Sequence, residues 1–181
     1  MVHGFNGEPN GGWRPWLMGE LAKKDVYACA LPMPNPDKPE KGEWIKTIKE
    51  AIGVPNEEIF LVGHSLGVPA ILRYLETLEK GQKIGGVVLV SGPVHLLSQG
   101  KYREIDNFID KPFNFEHIKE ICKKFCVIHG DNDNKVPFEH AIELSKNLDC
   151  NLISIPNGGH LNGSSGWYKL PELLESLEKM F

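Results

Sequence analysis

Short apolar runs alternate with amphipathic segments from one end of the chain to the other. Met1–His3, Val26–Leu31, Ile59–Val62, Val87–Ser91, Phe125–His129 and Asn151–Ile155 read as strands. Between them, apolar residues recur at helical spacing over Trp13–Lys23, Glu43–Ala51, Val68–Glu79, Phe115–Lys124 and Phe138–Leu148. A last helix, Pro171–Met180, puts Leu173, Leu174 and Leu177 on one face and has a proline suited to its first turn. Near-continuous apolar strands alternating with helices predict a compact α/β fold. Its sheet is expected to be mostly parallel, of about six strands, with helices on both faces.

Loops are equally legible. Pro32–Pro39 is too rich in proline for helix or central strand, and Gly4–Gly12 has the glycine and asparagine of a loop pressed against a ligand. Gly92–Asn114 is the least regular connection and too short for a large cap domain. With no repeat, low-complexity tract or linker, residues 1–181 read as one domain.

Composition narrows the partners. The net charge of -4, without any basic cluster, disfavours nucleic acid. Met1–Gly7 lacks the basic start and apolar stretch of a signal peptide, and the longest clean apolar run, Val87–Val90, is too short for a bilayer. A soluble, cytoplasmic protein is expected, with no membrane role. Cys122 and Cys126 are spaced to share a helix face, but no second close pair completes a zinc site. With Cys29 and Cys150 they read as reduced thiols, and no metal or cofactor is expected.

The chemistry concentrates at Gly63-His64-Ser65-Leu66-Gly67, between a predicted strand and a predicted helix. Gly-x-Ser-x-Gly in that setting describes a nucleophile elbow, a turn so tight that side chains at Gly63 and Gly67 would clash. A serine hydroxyl needs a base, and histidine, with an ordinary pKa of about 6.5, suits that role near pH 7. A carboxylate must then orient the imidazole and stabilise its charged form. His160 follows two glycines beyond the last strand, and Asp131 and Asp133 follow the strand before it. Spacing alone leaves both acids open. The oxyanion donors expected are the N–H groups of Leu66, at a helix N-terminus, and of Phe5, in the loop after the first strand. A turn-capping serine is the bland alternative at Ser65. His64 is expected to pack or bond locally, His3 to brace the Phe5 loop, and Trp13, Trp16 and Leu17 to form a buried helix face.

Five blocks in order resemble the α/β-hydrolase superfamily. They are His3–Gly7 with Trp13–Leu17, Leu31–Pro36, Gly63–Gly67, Gly130–Asp133 with Val136-Pro137, and Gly159–Asn162. Within the superfamily the chain resembles the small lidless serine hydrolases typified by retinoblastoma-binding protein 9 and the bacterial YdeN-like proteins. That resemblance implies Ser65 as nucleophile, His160 as base and then acid, and Asp133 as the orienting carboxylate, three residues after its glycine. It implies cleavage of small carboxylic esters, thioesters or amides through an acyl-enzyme. Two other functions fit the same scaffold: a binding protein with little turnover, and an acyltransferase. The sequence carries no signal of a protein partner. In one respect the chain departs from the family, since only Met1 and Val2 precede the His-Gly block. The expectation is an abbreviated central strand or a translation start upstream.

Overall fold

Four apolar runs pair in parallel: β1 (Phe60–His64), β2 (Gly86–Val90), β3 (Phe125–Gly130) and β4 (Asn151–Ile155), side by side in that order. They belong to a computed structural model that describes residues 1–97 and 102–181. Every residue of β2 and β3 is buried, as strands covered on both faces must be.

The expected first two strands are present only as short backbone contacts beside β1. Val2 bridges Gly63 in parallel, its N–H donating to Val62 O at 2.8 Å and its carbonyl accepting from His64 N at 3.0 Å. Beyond it, Leu31 N donates to Met1 O at 2.9 Å. These segments lie in order beside β1 but make too few backbone bonds to form ladders. One turns away at Gly4, and the other carries Tyr27, which is 91% exposed. The sheet therefore has four laddered strands where about six were expected.

Helices cover both faces because alternate strand residues face opposite ways. On one side Leu61, Val87, Leu89 and Val127 share a core with α2 (Lys41–Ile52), α3 (Gly67–Glu76), α5 (Phe115–Ile121) and α6 (Phe138–Leu148). On the other, Val62, Val88, Val90 and Ile128 meet α1 (Arg14–Ala22) and α7 (Pro171–Glu178). The Gly92–Asn114 segment contains a short helix, α4 (Asp106–Ile109), after a single tight turn; residues 98–101 of that segment lie outside the described ones. One expectation fails here. α5 stops at Ile121, so extended Cys122 ends the helix while Cys126 lies in β3, and the two share no helix face.

Candidate active site

β1 ends at His64 and α3 begins at Gly67, leaving Ser65 and Leu66 to make the whole turn. Ser65 has φ +54°, a left-handed conformation that costs an L-residue about 1–2 kcal/mol. Its neighbours hold it there. Ser65 N donates to Val90 O at 2.9 Å. A Cβ at Gly63 would lie 2.7 Å from Gly67 O, and one at Gly67 would lie 2.2 Å from Val2 O. Both glycines are therefore demanded by close backbone approach. Strain of this kind marks functional positions when the surroundings enforce it.

Gly4 packs directly against the serine, since an added Cβ would meet Ser65 Cβ at 2.7 Å. The turn that follows is tied from three directions. Gly7 N donates to Gly4 O at 3.0 Å, and Asn6 N donates to Pro36 O at 2.7 Å. The His3 ring bridges Gly4 O, 2.8 Å from Nδ1, and Met33 N, 3.3 Å from Nε2. That pairing assigns the proton to Nδ1 and makes His3 neutral, in accord with burial lowering its pKa. His3 thus braces the loop as expected. Among the described residues, the N–H groups of Phe5 and Leu66 donate to no protein acceptor. Free amides in the two segments that adjoin the half-buried Ser65 are the kind of donors that can cradle negative charge.

His160 and Asp133 meet. The imidazole Nδ1 lies 2.7 Å from Asp133 Oδ2, in a pair whose carboxylate is wholly buried. Asp133 Oδ1 accepts from Lys135 N at 2.9 Å and Val136 N at 3.1 Å. Burial alone would raise this carboxyl's pKa. Hydrogen bonds from His129 and His160 outweigh it and hold the group well below the ordinary carboxylate range. Asp131 serves the loop instead, for it is exposed and accepts from Asn157 N at 2.8 Å. Asn132 likewise accepts from Gly159 N at 2.7 Å. These two side chains pin the loop that carries His160.

Two histidines take part in ways the spacing did not suggest. His64 does not bond locally. Its Nε2 donates to the carbonyl of His160 at 2.9 Å, and the ring centroids are 5.1 Å apart. Full burial, then the neighbouring imidazole, push the His64 pKa well below its usual value and keep it neutral. His129 lies behind the acid, its Nε2 donating to Val136 O at 2.9 Å and standing 3.4 Å from Asp133 Oδ2. The only available signals were an unusual histidine inside the elbow and the four-residue spacing from His129 to Asp133. Trp13 and Leu17 are buried as expected, but Trp16 is only half-buried and lines the cavity; the Trp13 indole, just before α1, donates to Leu161 O at 2.9 Å, beside His160.

Ser65 and His160 open onto one cavity of about 780 Å³, with Phe5, Trp16, Tyr102 and Ile105 on its walls. No hydrogen bond joins the Ser65 hydroxyl to His160 among the described residues; unliganded catalytic contacts often close only around substrate. The constellation can activate a hydroxyl, receive its proton and cradle an oxyanion.

Comparison with known proteins agrees with this chemistry. The chain is 34% identical over 181 residues to YdeN of Bacillus subtilis (strain 168), a protein named as a hydrolase, covering 100% of this chain and 94% of the relative. The crystal structure of that gene product superposes with a TM-score of 0.94 over 99% of this chain and 96% of its own. Serine hydrolase RBBP9 of Rattus norvegicus is 24% identical over 167 residues, 92% of this chain and 86% of the relative. Est1E from Butyrivibrio proteoclasticus, at 18% identity and a TM-score of 0.68 over 98% of this chain and 86% of its own, shares the fold. The family model described as serine hydrolase matches residues 1–179, which takes in the elbow, the acid and the histidine loop together. The chain belongs to the serine hydrolase family and has the α/β-hydrolase fold.

Proposed function

We propose that this serine hydrolase cleaves small carboxylic esters with Ser65, His160 and Asp133 as its catalytic triad. The observation that carries the reading is the 2.7 Å contact of His160 Nδ1 with buried Asp133 Oδ2, at the cavity onto which Ser65 opens. Ionised Asp133 accepts from Nδ1–H, so the Nε2 lone pair is the one free to take a proton. Ser65 Oγ attacks the ester carbonyl carbon as its proton passes to His160 Nε2. The carbonyl oxygen, now anionic, is held by the Leu66 and Phe5 N–H groups. Collapse expels the alcohol, protonated by His160, and leaves an acyl-serine. Water then gives a proton to His160 as it attacks the acyl carbon; the bond to Ser65 Oγ breaks, His160 returns the proton to Oγ, and the acid departs. Thioesters and amides fit the same sequence of steps.

No helix of the described residues is long and apolar enough to cross a membrane. The four free thiols support a cytoplasmic location.

A fluorophosphonate probe tests the assignment. It is expected to label the wild type at Ser65 and to leave Ser65→Ala unlabelled, with hydrolysis of short-chain 4-nitrophenyl esters lost in the same variant. Equal labelling of the two proteins would overturn it.

A further inference from the structure

Arg14 opens α1 on the wall of the active-site cavity and is 6% exposed. Buried arginines ordinarily face a carboxylate. This one does not: among the described residues its side-chain bonds run to backbone carbonyls, Nε to Pro9 O at 3.2 Å and Nη2 to Glu8 O at 2.8 Å. The remaining nitrogen, Nη1, has no partner among the described residues yet is not sealed from solvent. The guanidinium is thus clamped through Nε and Nη2, lies 5.6 Å over the Trp13 ring, and leaves Nη1 unbonded beside the cavity that Arg14 lines. Its charge is felt nearby, adding to the burial that keeps His3 and His64 neutral.

The rest of the lining tilts the same way. Its fixed charges are Arg14, Lys135 and Glu8, a positive excess on a chain whose net charge is -4. Exposed Lys135 makes no ion pair among the described residues and is held beside the acid through its N–H to Asp133. Exposed Glu8 offsets Arg14 only across space, without an ion-pair contact.

We propose that the cavity selects esters bearing a carboxylate, with Arg14 Nη1 as the buried recognition point and Lys135 as the cation at the rim. The proposal rests on the reading of this cavity as the ester site. A charge-assisted hydrogen bond to an already fixed guanidinium requires little ordering of the protein, and it is expected to favour the charged substrate about 10- to 100-fold.

Two matched pairs separate the positions the carboxylate can take. The half-ester 4-nitrophenyl hydrogen adipate against 4-nitrophenyl hexanoate places it in the acyl part. The pair 4-acetoxybenzoate against 4-tolyl acetate places it in the alcohol part. The wild type is expected to prefer the charged member of one pair by about tenfold or more in kcat/KM, and salt at about 0.5 M should erode that preference. Arg14→Gln should abolish most of it, Arg14→Lys should retain part, and Lys135→Gln should reduce it about two- to threefold. Should Arg14→Gln not fold, adipate should protect wild-type Ser65 from the fluorophosphonate about tenfold better than neutral adipamide. Equal turnover of both members of both pairs, with Ser65 still labelled, overturns the proposal and leaves the hydrolase reading standing. So does an Arg14→Gln protein that slows charged and neutral esters alike, which would make Arg14 only a brace for the Glu8–Pro9 loop. Absence of Ser65 labelling overturns both.

Discussion

Replacing Gly67 by alanine tests how Ser65 and the Gly4-Phe5 turn are held together. The new Cβ would lie 2.2 Å from Val2 O, 2.8 Å from Val2 C and 3.0 Å from His3 O, all of them backbone atoms that no rotamer change can move. Restoring the 3.4 Å at which ordinary contact begins demands a shift of about 1.2 Å. Val2 is joined to β1 by two hydrogen bonds, to Val62 O and from His64 N, and the shift strains both. Overpacking of this kind costs about 1–3 kcal/mol, and two weakened hydrogen bonds add roughly 1–2 kcal/mol. A total near 3–4 kcal/mol corresponds to a Tm lower by roughly 6–16 °C for a domain of this size. Function should suffer separately. Gly4 and Phe5 follow Val2 in the chain, so the Phe5 N–H moves relative to Ser65, and a 1 Å misplacement is worth about a hundredfold in rate. Thermal unfolding by circular dichroism and the second-order rate of fluorophosphonate labelling read the two effects. Gly19→Ala is the control, because a Cβ there, in the exposed middle of α1, meets nothing within 4 Å. It should stabilise by about 0.5–1 kcal/mol. A Gly67→Ala protein that melts and labels like the wild type would refute the reasoning.

Asp133→Asn should lower kcat on a short-chain ester about 10³- to 10⁴-fold. Asp131→Ala should instead cost about 1 kcal/mol of stability through its lost bond to Asn157, so equal kinetic losses would unseat Asp133 as the acid. Burial, then the neighbouring His95 and His129 imidazoles, push the His140 pKa from 6.5 down to about 4, against a smaller upward pull from Glu139 and Asp133. The unfolded chain then binds a proton in that window that the folded protein refuses. This part of the stability is complete above pH 6.5 and is lost as pH falls towards about 4. Allowing for water around the exposed His95 stacked on it, the loss is roughly 2 kcal/mol, and urea unfolding of wild type and His140→Gln should converge across that range. Of the four free cysteines only Cys29 is exposed, while burial pushes Cys122 up to about 11 and Cys150 up to about 12. Ellman's reagent should therefore titrate Cys29 alone before unfolding, and rapid reaction of more than one thiol in the folded protein would contradict this.

Much of the architecture could be read from periodicity. Phe138–Leu148 and Asn151–Ile155 match their predicted limits, because strong apolar patterning and tertiary packing agree there. Strand existence was harder at the N-terminal side. Val26–Leu31 has strand-like residues, but pairing also requires a long neighbour, and Met1–His3 offers a single bridge. The elbow was legible since its glycines answer to local crowding, and His160 and Asp133 because both leave strand ends on one side of the sheet. Spacing could not choose between Asp131 and Asp133; the family resemblance did, and only the second meets His160. What stayed hidden depends on contacts between distant parts of the chain. The His64 ring reaches the His160 backbone, and Arg14 is buried by folding back on carbonyls. No local pattern encodes either.

The bond from His64 to the His160 carbonyl has a mechanical consequence. His64 immediately precedes Ser65, so the clasp ties the backbone of His160, the proposed base, to the residue beside Ser65, the proposed nucleophile. If the proposed mechanism holds, flexing of the sheet is expected to carry both ends of the proton-transfer path along, so that their separation varies less than the position of either. Precision is thereby local to the reacting pair. On that reading, the outer loops of the cavity can be altered to change what is bound while the distance between Ser65 and His160 is held by the clasp.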